Sequence, residues 1–280
     1  MRDIAIIGAG ELGGAVAHVL ARRNVATTVR LIDEHGRVAE GKALDLMQAA
    51  PIDGFATDVS GSADLVTAGG SALIVLTDRF GGAEWAGEDG LLLLKRLSEL
   101  APHAVIACAG ALQRELVDRG VRELHFSRRR LFGTAPEALA NGARALVALD
   151  LDVSPRDVML SVLGVPPAHV VLPWDDAAVG GFAMTKVLDD PTRRRLTTRI
   201  SALWPPGPYA LASATAKAVE AMAGRTRTIV SCFVGPDLSA GQRTRAGALP
   251  VRLGSTGIEA VLLPEMNARD RITLENAMLL

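Results

Sequence analysis

The chain has 280 residues, with 30 Lys and Arg against 31 Asp and Glu for a net charge of −1, and it is 49% hydrophobic and 22% charged. That much apolar material suits one large or two medium packed domains and excludes a disordered chain. The even charge balance removes the long-range attraction on which a dedicated nucleic-acid binder depends, and 4% aromatic residues leave little to stack on bases.

The chain begins with an apolar strand, residues 4–7, that runs into Gly8-x-Gly10-x-x-Gly13 and then a helix over 12–22. A second strand, 28–32, ends at Asp33, 20 residues after Gly13. This order describes a dinucleotide-binding βαβ unit. Gly8 makes the tight turn, Gly10 lets a pyrophosphate approach the backbone, and Gly13 brings the helix close to the strand. The helix N-terminus, Glu11-Leu12-Gly13, then points unpaired N–H groups at the phosphates. A carboxylate at Asp33 accepts the ribose hydroxyls of NAD and repels the 2′-phosphate of NADP. Leu12, Val16, Val19 and Leu20 form the apolar stripe that packs on the sheet.

A helix over 37–48 precedes Pro51 and a third strand at 57–60. Residues 72–76, ALIVL, read as a fourth strand of the kind a parallel sheet buries on both faces. A Gly-rich loop, 77–87, leads to a helix over 88–100, and strands at 104–109 and 131–133 complete the sheet. The alternation predicts an α/β chain, an N-terminal Rossmann doubly wound parallel sheet over 1–134. The remainder, 135–280, reads as an α+β domain. It has a helix at 137–149, strand-like runs at 158–163 and 169–172 around a 165–168 loop, and helices at 191–203 and 209–223. Strands at 228–234 and 258–263 and a final helix from 267 follow.

Cys108 and Cys232 both lie in apolar strand-like runs and read as buried thiols of a reducing compartment. The five histidines show no ligand spacing, so no metal site is expected. No apolar run reaches the roughly 18 residues that cross a bilayer, and the first strand starts too early for a signal peptide. A cytoplasmic protein with neither a membrane nor a nucleic-acid partner is expected.

The chain resembles the lactate/malate dehydrogenase family. The resemblance rests on GAGELGG with LID at 31–33, GKALDLMQAAPI at 41–52, ALIVLT at 72–77 and RRLFGT at 129–134. It continues in SPRDVMLSVLG at 154–164, AVGG at 178–181, YALASATAKAVEAM at 209–222 and GSTGIEAVLLPEMN at 254–267. It implies NAD as cofactor, with Gly8, Gly10, Glu11, Leu12, Gly13, Asp33 and Thr77 at the cofactor, a small-molecule substrate, and at least a homodimer through the helix that carries GKALDL.

The same resemblance implies a catalytic set that this chain lacks. The family presents its proton-carrying His as GEHGD; here GVPPA, 164–168, places Pro166 there. The carboxylate that orients the His falls on Leu139, and the substrate-clamping Arg on Gly142. The loop Arg falls on Gly87, and the Asn beyond the fifth strand on Ala111. Acid–base assistance is worth about 10²–10⁴-fold, and each charge-assisted bond to a carboxylate about 1.5–3 kcal/mol. Joint loss of these groups points to an NAD(H)-binding pseudoenzyme with little or no malate or lactate turnover. The alternative is an active oxidoreductase on a non-carboxylate hydroxy or oxo substrate.

Among substitutes, His169 is expected to open the returning strand rather than serve as base, and Arg79 to be a solvated loop residue. Asp175 and Asp176 read as capping or surface acids, and the runs Arg128-Arg129-Arg130 and Arg193-Arg194-Arg195 as solvated faces. Asp78, where the family has a small residue, brings a negative charge toward the pyrophosphate and weakens NAD if it points inward.

Overall fold

A run such as LIVL offers no polar face to water, so its strand has to be covered on both sides. The computed structural model describes residues 1, 3–238 and 244–280. In it Asp3–Ile7 (β1), Thr28–Ile32 (β2), Asp58–Ser62 (β3), Leu73–Leu76 (β4), Val105–Cys108 (β5) and Leu131–Gly133 (β6) lie parallel in the order β3-β2-β1-β4-β5-β6. The helices Glu11–Arg22 (α1), Gly36–Asp53 (α2), Gly87–Leu100 (α3) and Arg114–Glu123 (α4) connect them. This is the predicted doubly wound sheet, with its strand order reversing beside β1, where α/β proteins bind ligands at the carboxyl ends of the strands. Ile7 pairs with both Ile32 and Leu76, so Gly8, Asp33 and Thr77 leave three adjacent strands at the same height.

The second half follows as Ala135–Leu151 (α5), Val158–Met159 (β7), Leu163–Val165 (β8), His169–Val171 (β9), Ala178–Val179 (β10), Phe182–Ala183 (β11), Met184–Val187 (α6), Asp190–Ser201 (α7) and Pro208–Met222 (α8). Val230–Val234 (β12), Gly247–Gly254 (β13), Gly257–Val261 (β14) and Ala268–Ala277 (α9) complete the described chain. Strand β12 pairs antiparallel with β6, so the parallel sheet continues as β6-β12-β13-β8-β9, with β14 also on β13. A small sheet, β11-β10-β7, stands apart. The Ala-rich α8 lies along α1, tied there by Arg23 to Glu220 at 2.8 Å and by Arg225 donating to the Arg23 and Asn24 carbonyls.

Several elements differ from the sequence reading, which also had no counterpart for the short helix α6. Helix α2 runs through Pro51 and stops at Gly54, whose φ of +73° suits a residue without Cβ. Helix α4 was not foreseen, although Leu116, Val117 and Val121 are buried at helical spacing. The run 158–163 is not one strand: β7 joins the small sheet and β8 the large one. The hairpin β10–β11, closed by Gly180-Gly181 in left-handed conformations, was read only as a motif. The longest strand, β13, was missed because Pro250 argues against a central strand. Here Pro250 lies opposite Ser231, whose amide donates to Glu137, while the Pro250 carbonyl still accepts from the Leu262 amide at 2.8 Å.

Candidate functional site

The carboxyl ends of β1, β2 and β4 bring the predicted cofactor residues together. Gly8 has φ +116° and donates to the Ile32 carbonyl at 2.7 Å. An added Cβ at Gly13 would collide with the Gly8 carbonyl, which is the close helix-to-strand approach that the motif requires. Thr77 is fully buried and its hydroxyl donates to the Ile7 and Gly8 carbonyls at 3.1 and 3.0 Å, pinning the turn. Glu11 is exposed in the first turn of α1, while Leu12 is buried with its amide at the helix entrance. Lys42, which the sequence reading did not single out, reaches from α2 to donate to the Gly10 carbonyl at 2.5 Å.

Asp33 is 5% exposed. Its carboxylate accepts from the Ala9, His35 and Phe80 amides at 2.7, 2.9 and 2.9 Å. Burial alone would raise its pKa, but these three amides and the His35 ring together hold it below the ordinary value.

Residues 77–86 form a strap across this end of the sheet. Asp78 and Glu84 make an antiparallel bridge, with the Arg79 amide donating to the Ala83 carbonyl at 3.2 Å and the Trp85 amide to the Thr77 carbonyl at 3.3 Å. The Asp78 carboxylate turns inward and accepts from the Leu12 and Gly13 amides at 3.2 and 3.0 Å. These are the N–H groups that the glycine motif reserves for phosphate. The Asp78 carbonyl accepts from the Gly10 amide at 3.0 Å. At the other end, Glu84 accepts from the Ala111 and Leu112 amides, just beyond β5, at 3.0 and 2.8 Å. Burial raises the Glu84 carboxyl, more than those amides lower it, and Asp78 adds to the rise. Phe80 meets the His35 ring edge-on at 5.5 Å. Arg79, expected in solvent, instead lies 4.8 Å over the Trp85 ring and 3.6 Å from Asp89, because the strap folds back on itself.

A cleft of about 410 Å³ opens beside Asp33, lined by Ile7, Ile32, Val66, Leu93 and Leu100 among others. Its apolar walls and the carboxylate at its mouth fit the adenosine end of NAD. The glycine turn does not fit the pyrophosphate while Asp78 holds its amides, since an added Cβ at Gly10 would already strike that carboxylate.

The residues that the sequence reading aligned with the family's chemistry carry no titratable side chain. Leu139 is 1% exposed within an apolar cluster that includes Ala143, Val147, Leu196 and Ile200. Gly142 faces Leu203, 2.9 Å from where its Cβ would be. Pro166 is buried between β8 and β9, Gly87 opens α3 with φ +57°, and Ala111 is buried with its amide on Glu84. His169 is exposed and opens β9 opposite Val165, the returning strand that the sequence predicts.

Two residues beyond Gly142, Arg144 belongs to a network that the sequence reading missed. Glu137, 0% exposed, accepts from Lys217 at 2.5 Å, Arg144 at 3.2 Å, Asn141 at 3.0 Å and the Ser231 amide at 2.7 Å. The basic runs are also held: Arg128 pairs with Asp237, Arg130 donates to the Pro102 carbonyl, Arg193 pairs with Asp190, and Arg195 lies 2.8 Å from Asp150. Cys108 and Cys232 are buried thiols, and burial pushes both well up. Among the described residues there is no cluster of three or more His, Cys, Asp or Glu side chains that could hold a metal, and no helix is long and apolar enough to cross a membrane.

Residues 2–95 match the family model described as lactate/malate dehydrogenase, NAD binding domain. Malate dehydrogenase of Thermomicrobium roseum is 28% identical, with 99% of this chain and 94% of that protein covered. Malate dehydrogenase of Salinibacter ruber is 25% identical over 98% of this chain and 93% of its own length. The solved structure of the Salinibacter ruber malate dehydrogenase superposes with a TM-score of 0.85, at 26% identity and covering 98% and 93% of the two chains. The lactate dehydrogenase of Cryptosporidium parvum, solved with lactic acid and NAD, shares the fold at a TM-score of 0.86 and 20% identity, covering 99% and 94%.

Proposed function

We propose that the chain is an NAD-binding protein of the lactate/malate dehydrogenase family, and that it binds NAD(H) but turns over neither malate nor lactate at a useful rate. The observation that carries this is the joint replacement of the proton-handling pair and the substrate clamp by Pro166, Leu139 and Gly142, the first two of them buried. Leu139 is sealed into the apolar cluster under α5 and α7. The cofactor groups are Gly8, Gly10, Glu11, Leu12, Gly13, Asp33 and Thr77. We place the protein in the cytoplasm, where two buried thiols stay reduced. We further propose a homodimer through α2, whose Leu44 and Ile52 are exposed.

The test is NADH oxidation with oxaloacetate and pyruvate, and NAD reduction with malate and lactate. Rates about 10²–10⁴-fold below those of a dehydrogenase with its acid–base group are expected. Turnover near the enzymatic norm of about 10 s⁻¹ would overturn the proposal. A second reading, an active oxidoreductase on a neutral ketone, aldehyde or alcohol, is favoured by the intact glycine turn and Asp33. A substrate screen following NADH absorbance separates the two.

A further inference from the structure

The entrance of α1 already carries an anion, supplied by the protein itself. We propose that the strap 77–86 is a built-in occupant of the dinucleotide groove, and that NAD(H) binds only by lifting it. This inference rests on the NAD(H) binding assigned above. Three contacts lie along the groove in the order in which a dinucleotide would be laid out. At the Asp33 end, the Phe80 amide takes a lone pair of the ribose-binding carboxylate at 2.9 Å, and the Phe80 ring closes on His35. In the middle, the Asp78 carboxylate takes the Leu12 and Gly13 amides. At the far end, Glu84 takes the Ala111 and Leu112 amides, and its carboxylate fills the space over Gly110.

Occupancy of the middle position is mutually exclusive. Two helix-terminal N–H groups pointing at one spot hold a single anion, and a phosphate beside a carboxylate at hydrogen-bond distance would repel it. Asp78 reaches these amides across 65 residues of sequence, so the contact is tertiary and can break without unfolding α1. The adenosine-end cleft stays open beside the closed strap, which leaves the nucleotide a place to start. Affinity is then the intrinsic affinity scaled by the fraction of molecules with the strap lifted.

The experiment is calorimetric titration of NADH into the wild-type protein, Asp78→Ala and Asp78→Ser, with thermal melts to check folding. It is joined by hydrogen exchange of the wild type at saturating NADH. Asp78→Ala is expected to tighten NADH by at least about tenfold, as removal of a self-competitor predicts, and Asp78→Ser to tighten it in the same direction. In the wild type, NADH should expose the Arg79, Trp85, Ala111 and Leu112 amides to exchange, a response that a merely structural Asp78 would not give. Equal affinity of wild type and folded variants overturns the strap and leaves the cofactor assignment intact. Weaker binding by the variants also overturns it, making Asp78 a helper of the cofactor. No binding by any of the three at millimolar NADH overturns the strap and the cofactor assignment together. If the variants do not fold, protection of those four amides unchanged by NADH overturns it on the wild type alone.

Discussion

Glu137 shows how much one buried charge can organise. With none of its surface exposed, it is neutralised by Lys217 and Arg144 and it accepts from the Ser231 amide of β12. Both cations are partly exposed, so the loss on Glu137→Gln should fall at the low end for a broken buried pair, about 3 kcal/mol in denaturant unfolding. A change below about 1 kcal/mol would mean that water replaces the carboxylate. Glu84 carries a pH signature. Its carboxyl is raised from an ordinary 4.5 chiefly by burial, so the folded state binds the proton more tightly than the unfolded chain. The stability this gives is present below pH 4.5 and is lost as pH rises through the higher folded value. Melting temperatures of wild type relative to Glu84→Gln should therefore fall across that window and level off above it. A difference that is flat with pH would show that Glu84 is not buried as a titrating group. The place of Asp33 at the end of β2 was readable from sequence because it is set by spacing from a local motif. Glu137 was not, since its four partners come from α5, α8 and β12.

Elements were legible where their signal is contained within them. The sheet strands β2 and β6 have the bounds that their apolar runs predict, and α1 begins one residue earlier, at Glu11. Helix α2 carried a misleading signal: Pro51 suggests an end, yet the chain turns out only at Gly54, which donates to the Ala50 carbonyl at 2.9 Å with φ +73°. An added Cβ there meets nothing within 4 Å. The cost of Gly54→Ala is then purely conformational, about 1 kcal/mol, read as a lowered urea midpoint at unchanged slope. No shift would mean that the helix end relaxes to a right-handed conformation. The strap is the opposite case, since its residues look like an ordinary Gly-rich loop. What makes it an occupant of the groove is the distance it folds across, from Asp78 to Leu12 and Gly13 and from Glu84 to Ala111 and Leu112.

The molecule as a whole is built on one sheet that changes from parallel to antiparallel at β6–β12, so the two halves share a continuous hydrogen-bonded layer. On its outside, Leu44 and Ile52 of α2 are 60% and 88% exposed, apolar surface of the kind that marks an interface when it is contiguous. For the proposed homodimer, Leu44→Glu with Ile52→Glu should shift the sedimentation velocity mass from dimer to monomer while the melt stays cooperative. A monomeric wild type, or a variant that remains dimeric, would remove α2 from the assembly.

The doubly wound sheet and the glycine turn followed by Asp33 were legible in the residue order, and the proposal that a proton-handling pair is lost rests on the residues Leu139 and Pro166. Each is either a pattern within a few tens of residues or the identity of one side chain. Where Asp78 and Glu84 point, which cations Glu137 meets, and how β13 accommodates Pro250 are set by the folded chain. Those outcomes depend on which backbone amides long-range folding brings within about 3 Å of a carboxylate, a distance that no local spacing encodes.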